Sequence, residues 1–344
     1  MTSSAPFHPS DGDPVPPSLR GFARVHADLV ELHENPAHLV ARHRAPGRRV
    51  GLVSGGGSGH EPMHAGFLGR GMLDAVAPGK VFASPHNRQI LEASRKAAGP
   101  GGVIHVVKNY TGDRINFGIA AERLRLEGIE VRRVLVDDDL ATDSADTATG
   151  RRGTGATVVV EKLLGAAADD GLGIDELAEL GAAFAAASRS LAVASRAQTS
   201  MHTGRPAFEL AEGELEYGVG IHGERAAKSI PRPSTEDLVD RMLDEVIAGL
   251  PAGPDEVVAV VNGLGGTTLL ELYGLHDLVA GGLERRGFAL AGALVGTFAP
   301  ALDMAGFSIT LTRMRPEWRT WWAAPAVTPA FPRTAPRTTA EETV

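Results

Sequence analysis

The sequence predicts an α/β protein of two domains, the first a three-layer α/β unit on a largely parallel sheet, the second an α+β unit on a mixed sheet. Apolar, largely β-branched runs at 50–53, 102–107 and 130–136 alternate with stretches of helical periodicity, the pattern of strands joined by crossover helices. Further on, Leu215, Tyr217, Val219 and Ile221 alternate strictly with Glu214, Glu216, Gly218, Gly220 and His222, the period of a half-buried strand. A length of 344 residues gives room for two cores.

In order along the chain, residues 1–17 are polar and proline-containing and read as a flexible arm. Phe22, Val25, Leu29 and Leu32 share one face of a helix predicted over 19–43. The strand 50–53 stops in four glycines within five residues, and a helical segment around 64–73 follows. The strand 102–107 is bounded by Gly-Pro-Gly-Gly and by Lys108-Asn109; a helix over 115–126 leads to the strand 130–136, which ends in Asp137, Asp138 and Asp139. Alanine-rich helices are predicted over 157–168 and 174–192, and the polar stretch 195–206 places the domain boundary just before it, giving domains 18–189 and 190–332. The second domain reads as a strand over 214–222, a helix over 235–248, a strand over 256–261, a helix over 269–285, and strands at 288–294 and 307–311. Trp318, Trp321 and Trp322 pack the end of the chain onto the body, and the Pro/Thr/Glu-rich residues 333–344 read as disordered.

Composition narrows the function. A formal net charge of −8 argues against nucleic acid or an acidic membrane surface as the main partner. With no cysteine there are neither disulfides nor thiolate metal sites. The N-terminus lacks the basic start and apolar core of a signal peptide, and the best membrane candidate, 289–302, is short and interrupted by glycine, threonine and proline. The expectation is a soluble, cytoplasmic protein.

The chemistry-bearing residues cluster after the predicted strands. A glycine run at a strand end lets a ligand approach the backbone and offers it free N–H groups, and His60 stands where it can point at whatever the run holds. His60-Glu61-Pro62-Met63-His64 has the His-Glu-x-x-His spacing of a zinc site, but Pro62 disfavours helical geometry at Glu61. No metal is therefore assigned. No Gly-x-x-x-x-Gly-Lys-Ser/Thr run exists, so a nucleotide of that type would bind elsewhere. Lys108 and Asp113 follow the second strand and fall in the crevice at the carboxyl ends of an open sheet, where a lysine can hold an oxygen and a carboxylate can take a proton. Taken alone, Asp113 reads first as the N-cap of the next helix. Asp137, Asp138 and Asp139 could bind Mg²⁺ but read more simply as solvated or capping groups. His222, approached by glycines, presents a neutral imidazole nitrogen that can add to a reactive carbonyl, against the plain alternative of an exposed strand-end histidine. His86, His105 and His202 have no comparable setting, and His105 reads as a satisfied core residue.

Together, Gly55-Gly-Gly-Ser-Gly-His-Glu-Pro-Met-His64, Val107-Lys-Asn-Tyr-Thr-Gly-Asp113, Val136-Asp-Asp-Asp139, Gly150-Arg-Arg-Gly153, Gly218-Val-Gly-Ile-His-Gly-Glu224, Asn262-Gly-Leu-Gly-Gly266 and Leu302-Asp-Met-Ala-Gly306 resemble the dihydroxyacetone kinase family, in its substrate-binding K subunit, over about residues 18–332. The resemblance implies a two-domain fold, a homodimer, and a short ketose held covalently as a hemiaminal, a role that falls on His222. Gly57, Ser58, Gly59 and His60, with Lys108 and Asp113, would bind the substrate hydroxyls; Asp113 and His60 are the candidates for the base, and Ser84 lines the site. Covalent capture would orient a small, flexible ligand and would exclude glycerol, which has no ketone.

Family members that use ATP in one polypeptide carry a further, all-helical nucleotide-binding domain, for which this chain has no room. The resemblance then implies no cofactor on this chain and a separate L (DhaL-type) subunit carrying ATP, or ADP recharged by a phosphotransferase protein, with Mg²⁺. His86-Asn87-Arg88 departs from the Thr-Pro-Asp-like run usual after Ser-Pro, which keeps a larger ketose such as erythrulose open. A rival class is a sensor paralogue that captures the ketone and signals to a transcription regulator. Retention of His60 and Asp113 beside His222 favours the kinase subunit, since a sensor needs only the capture group.

Overall fold

Buried β-branched runs satisfy their backbone by pairing, and in the computed structural model they pair into two six-stranded mixed sheets. The structure describes residues 7, 12–142, 150–201, 203–225 and 228–331. The tail expected over 333–344, most of the expected arm 1–17, and His202 lie outside the described residues.

The first sheet holds β1 (Val30–Glu34), β2 (Ala37–Ala41), β3 (Gly51–Ser58), β4 (Ala75–Val81), β5 (Val103–Lys108) and β6 (Val131–Val136), in the order β1-β2-β4-β3-β5-β6. β4, β3, β5 and β6 run parallel; β1 and β2 are an antiparallel hairpin on one edge. That hairpin corrects the helix expected over 19–43. The helix is only α1 (Val15–Val25), started by prolines in its first turn; Asn35-Pro36 then folds the chain back so that Val30 faces Ala41. Leu29 lies in the turn after α1 and Leu32 in β1, so their helical spacing with Phe22 and Val25 is a coincidence.

The glycine run is a second correction. β3 does not stop at Val53 but continues to Ser58, pairing with β4 from Val53 onward with a register shift between Gly56 and Ser58. The glycines are required by close approach inside the sheet. A Cβ on Gly55 would lie 2.4 Å from the Ala77 carbonyl oxygen, one on Gly56 2.7 Å from Lys108 Nζ, and one on Gly57 2.7 Å from the Ala83 nitrogen. The helix expected at 64–73 is a single 3₁₀ turn, Ala65–Phe67, after which Leu68, Met72 and Leu73 enter the core without regular structure. α2 (Asn87–Ala97) was not anticipated; His86 caps it, Nδ1 accepting from the Arg88 N–H at 3.2 Å. α3 (Thr111–Leu126), α4 (Ala156–Asp169) and α5 (Ile174–Ala186) follow.

The second sheet holds β7 (Ser188–Arg196), β8 (Glu214–Tyr217), β9 (Lys228–Pro231), β10 (Glu256–Gly263), β11 (Ala289–Gly296) and β12 (Ala305–Arg313), in the order β11-β10-β12-β7-β8-β9; only β10 and β11 are parallel. The helix expected to 192 ends at Ala186, because residues from Ser188 pair with β12. The alternating strand 214–222 ends at Tyr217, where Gly218 takes a φ of 94° and turns the chain. His222 therefore sits on a turn.

Helices α6 (Thr235–Gly249) and α7 (Leu269–Arg285) pack on this sheet through Leu238, Met242, Leu272 and Val279 against Val257, Val261 and Ile309. α4 touches β3, β5 and β6 of the first sheet and β7 and β12 of the second, and it is buried from Ala156 to Ala168. Val158, Val159 and Leu163 share one core with Leu52 and Ile104 of the first sheet and Val258 and Val260 of the second. α8 (Trp318–Ala323) closes the end, with the Trp318 ring 4.7 Å from that of Phe184. Among the described residues no helix is long and apolar enough to cross a membrane.

Candidate active site

Where β3 ends, Gly59 takes a φ of 97° and delivers His60 into the interior with no exposure. Nδ1–H of His60 donates to the Pro300 carbonyl at 2.7 Å, so Nε2 carries the lone pair, and it is buried without a partner. Burial first, then the charges of Lys108 and His222, push the His60 imidazole well below the ordinary range, so it is neutral. Phe82, held at a φ of 55°, stacks on this ring at 5.1 Å.

His222 arrives from the other sheet. Its ring meets that of His60 edge-on at 4.9 Å, and it is also packed by Tyr110 at 4.8 Å and Phe82 at 5.5 Å. Glu224 fixes it twice: Oε1 accepts from Nδ1–H at 2.9 Å, and Oε2 accepts the His222 backbone N–H. With Nδ1 protonated, Nε2 has its lone pair free for a carbonyl carbon. Burial works to raise the Glu224 carboxyl, but the hydrogen bond and charge of His222 and the charge of Arg152 outweigh it, leaving Glu224 below its usual value and ionised.

Lys108 ends β5, buried, with Nζ 6.0 Å from the Tyr110 ring centroid. Burial lowers its amine, against the pull of Asp113, Glu161, Glu224 and Glu61. Asp113 is not an N-cap. The cap position of α3 is Tyr110, with no side-chain hydrogen bond, and Asp113 lies inside the first turn, buried, with Oδ1 unpartnered. An acceptor left open in the interior suits a ligand hydroxyl. Ser84 packs at the same turn: a Cβ on Gly112 would sit 2.6 Å from Ser84 Oγ. Ser58 is used within the fold: its hydroxyl donates to the Gly79 carbonyl at 2.8 Å and its own carbonyl accepts the Phe82 N–H at 2.9 Å.

The remaining candidates have structural work. Asp138 is buried and caps the entry to α4, accepting from Thr154 N–H at 2.7 Å and Ala156 N–H at 3.0 Å, while Asp139 pairs with Arg152. His105 is a core residue, hydrogen-bonded to Ser94 at 2.9 Å. His60 and His64 do not share a helix face: His64 Nδ1 is held by Glu161 at 2.6 Å and contacts Ser54 Oγ at 3.0 Å. Among the described residues no group of three or more His, Asp or Glu is arranged to hold a metal ion. A cavity of about 450 Å³ lies between α6 and α7 and is lined by none of the candidate site residues.

Glu224, Tyr110, Phe82 and Glu161 were not singled out by sequence reasoning. Glu224 carried a signal, being a carboxylate two residues from His222; Phe82 carried none, since its position follows from a backbone conformation unusual for phenylalanine. The site thus brings His222 and a neutral His60 ring to ring, with Lys108 on the Tyr110 ring that packs His222 and the buried Asp113 carboxylate in the first turn of α3; such groups can capture a carbonyl compound and deprotonate its hydroxyl.

Comparison with known proteins gives the family of the chain. The Dak1 domain model matches residues 20–330. The dihydroxyacetone-binding subunit DhaK of the PEP-dependent dihydroxyacetone kinase of Escherichia coli is 38% identical over 345 residues, 93% of this chain and 96% of its own length. Among solved structures, the dihydroxyacetone kinase operon co-activator Dha-DhaQ superposes with a TM-score of 0.88 at 31% identity, covering 94% of this chain and all 100% of its own. The dihydroxyacetone kinase of C. freundii superposes with a TM-score of 0.83 at 32% identity, covering 94% of this chain and 60% of its own. The chain belongs to the Dak1 domain family, as a DhaK-type member of the dihydroxyacetone kinases.

Proposed function

We propose that this chain is the substrate-binding subunit of a dihydroxyacetone kinase. His222 Nε2 adds to the ketone carbon; the carbonyl oxygen gains a proton and the imidazole gives up the one on Nδ1, toward Glu224, leaving a neutral hemiaminal. The captured triose then has one hydroxyl beside Asp113 or His60, which takes its proton as the oxygen attacks a phosphoryl group. The other hydroxyls bind Lys108 and the glycine run at Gly57. The phosphoryl group comes from ATP on a DhaL-type partner subunit with Mg²⁺, the ATP being either exchanged for the ADP left behind or regenerated from that bound ADP by a phosphotransferase protein, and the product is dihydroxyacetone phosphate. The assembly is a homodimer of this chain working in the cytoplasm.

The observation that carries this reading is His222 fixed by Glu224 with its ring against His60. Intact-mass measurement with dihydroxyacetone tests it: the native chain should gain one whole substrate, with no gain for His222→Ala or with glycerol. An adduct that persists in His222→Ala would refute the assignment. An adduct with erythrulose alone would move the substrate to the larger ketose.

The likeness to the co-activator supports a second reading, a ketone sensor without transfer. The unpartnered Asp113 oxygen and the neutral His60 favour the kinase, because capture requires neither. Reconstitution with a DhaL-type subunit and ATP separates the two: dihydroxyacetone phosphate forms only if the chain is a kinase subunit.

A further inference from the structure

We propose that Arg152 and Asp139 are positioning residues for His222, acting through Glu224 to keep its Nε2 free. The inference rests on the reading of His222 as the ketone-capturing group, but its main test does not.

The chain of contacts runs from the end of β6 to the capture residue. Asp139 Oδ2 accepts from Arg152 Nε at 2.8 Å and pairs with Nη2 at 2.6 Å, while Oδ1 accepts the Ala141 N–H at 3.0 Å. The Asp139 backbone N–H donates to the Arg152 carbonyl at 3.0 Å, so the pair is locked by main chain and side chain together. From this anchor Arg152 reaches the turn that carries His222: Nη2 donates to the Gly218 carbonyl at 3.3 Å, and Nη1 lies 3.6 Å from Glu224 Oε2. Glu224 then holds the imidazole and backbone of His222.

Gly220 shows how tightly this is built. A Cβ there would fall 2.0 Å from Glu224 Oε2 and 2.2 Å from Arg152 Nη1, so carboxylate and guanidinium both rest on bare backbone. The pairing matters because the Glu224 side chain is 40% exposed and has rotamers that point to water. The Asp139 side chain is 3% exposed and cannot follow it. A planar guanidinium tied to a buried carboxylate is a rigid post against which a mobile carboxylate stays in place. Without that post, Glu224 leaves Nδ1, the imidazole exchanges tautomers, and a fraction of the population carries its proton on the attacking nitrogen. Two segments otherwise remote from the chemistry, the aspartate run after β6 and Gly150-Arg-Arg-Gly153, acquire a function in this way.

The test uses the full chain labelled with ¹⁵N-histidine, the His222 signals being assigned by their loss in His222→Ala. In the native chain Nδ1 should resonate as a protonated nitrogen and Nε2 as an unprotonated one. Arg152→Met should draw the two shifts toward each other and slow dihydroxyacetone capture, followed by intact mass, by about 10- to 100-fold, the usual loss when the partner behind a functional histidine is removed. Arg152→Lys, which keeps charge but loses the fork, should recover part of both. Gly220→Ala, whose Cβ meets both the Glu224 carboxylate and Arg152 Nη1 and so parts the two, should reproduce the Arg152→Met spectrum, and it serves if Arg152→Met does not fold. Native shifts and native capture rate in the folded variants overturn the proposal. Altered tautomers in a chain that captures no ketone would uphold the positioning chain and reject the ketone reading; native capture with unaltered tautomers would do the reverse.

Discussion

The two halves of the site are built differently. His60 follows the buried strand β3, is itself fully buried, and is anchored to the Pro300 carbonyl. His222 stands on a turn beyond the short strand β8, with its side chain 20% exposed, and is anchored to another side chain. The contrast matches the tasks. A base or hydroxyl-binding group must hold one place, and a strand flanked by others supplies that; a group that forms and breaks a covalent bond needs access, and a turn supplies it.

Four measurements break or sharpen this contrast. The largest effect is expected at the exposed half, where His222→Ala removes the nucleophile and should abolish the mass adduct while the fold persists. Next, Asp113→Asn in the buried half should leave capture intact and lower reconstituted kcat by about 10²- to 10⁴-fold, the usual share of a general base. Loss of capture in that variant would mean that the halves are not separable. Third, Gly56→Ala should destabilise the fold by about 1–3 kcal/mol and raise KM, because its Cβ meets Lys108 Nζ at 2.7 Å and Cε at 3.1 Å. Denaturant unfolding of Gly56→Ala against the native chain should show that loss.

The smallest effect is one of pH. His105, buried and lowered to about 3, and His60, lowered in the same direction, bind a proton more readily when unfolded than when folded. Their contribution to stability is complete above the unfolded value of 6.5 and is lost as pH falls from there toward the folded one. Between pH 7.5 and 5.5 the proton that His105 takes up on unfolding should cost about 1.4 kcal/mol of unfolding free energy, with His60 acting in the same direction. His105→Phe should flatten that slope even as it lowers stability at neutral pH by leaving Ser94 unpaired; an unchanged slope would show that His105 is protonated in the fold.

Long, periodic elements were legible in the sequence: α7 and the strands at 102–107, 130–136 and 256–261 lie where apolar spacing put them. Signals with two physical meanings were not. Glycines at 55–57 read as a loop because they permit one, whereas here they make room inside a sheet for Ala77, Lys108 and Phe82. The spacing of Phe22, Val25, Leu29 and Leu32 suited a helix, and a turn at Asn35-Pro36 decided otherwise. His60, Lys108, Asp113 and His222 could be named from motif and strand end. Their supports, Glu224, Arg152 and Asp139, come from three segments that only the tertiary structure joins.

α4 gives the molecule its mechanics. A helix whose every side chain from Ala156 to Ala168 is enclosed, and which fills the core of both sheets, works as a shared axle rather than a linker. Swinging one sheet away from the other would open cavities along Val158, Val159 and Leu163, at a cost of about 24 cal/mol per Å³ of void. Opening by a hinge between the halves is therefore suppressed. The whole chain should melt in one transition, not two.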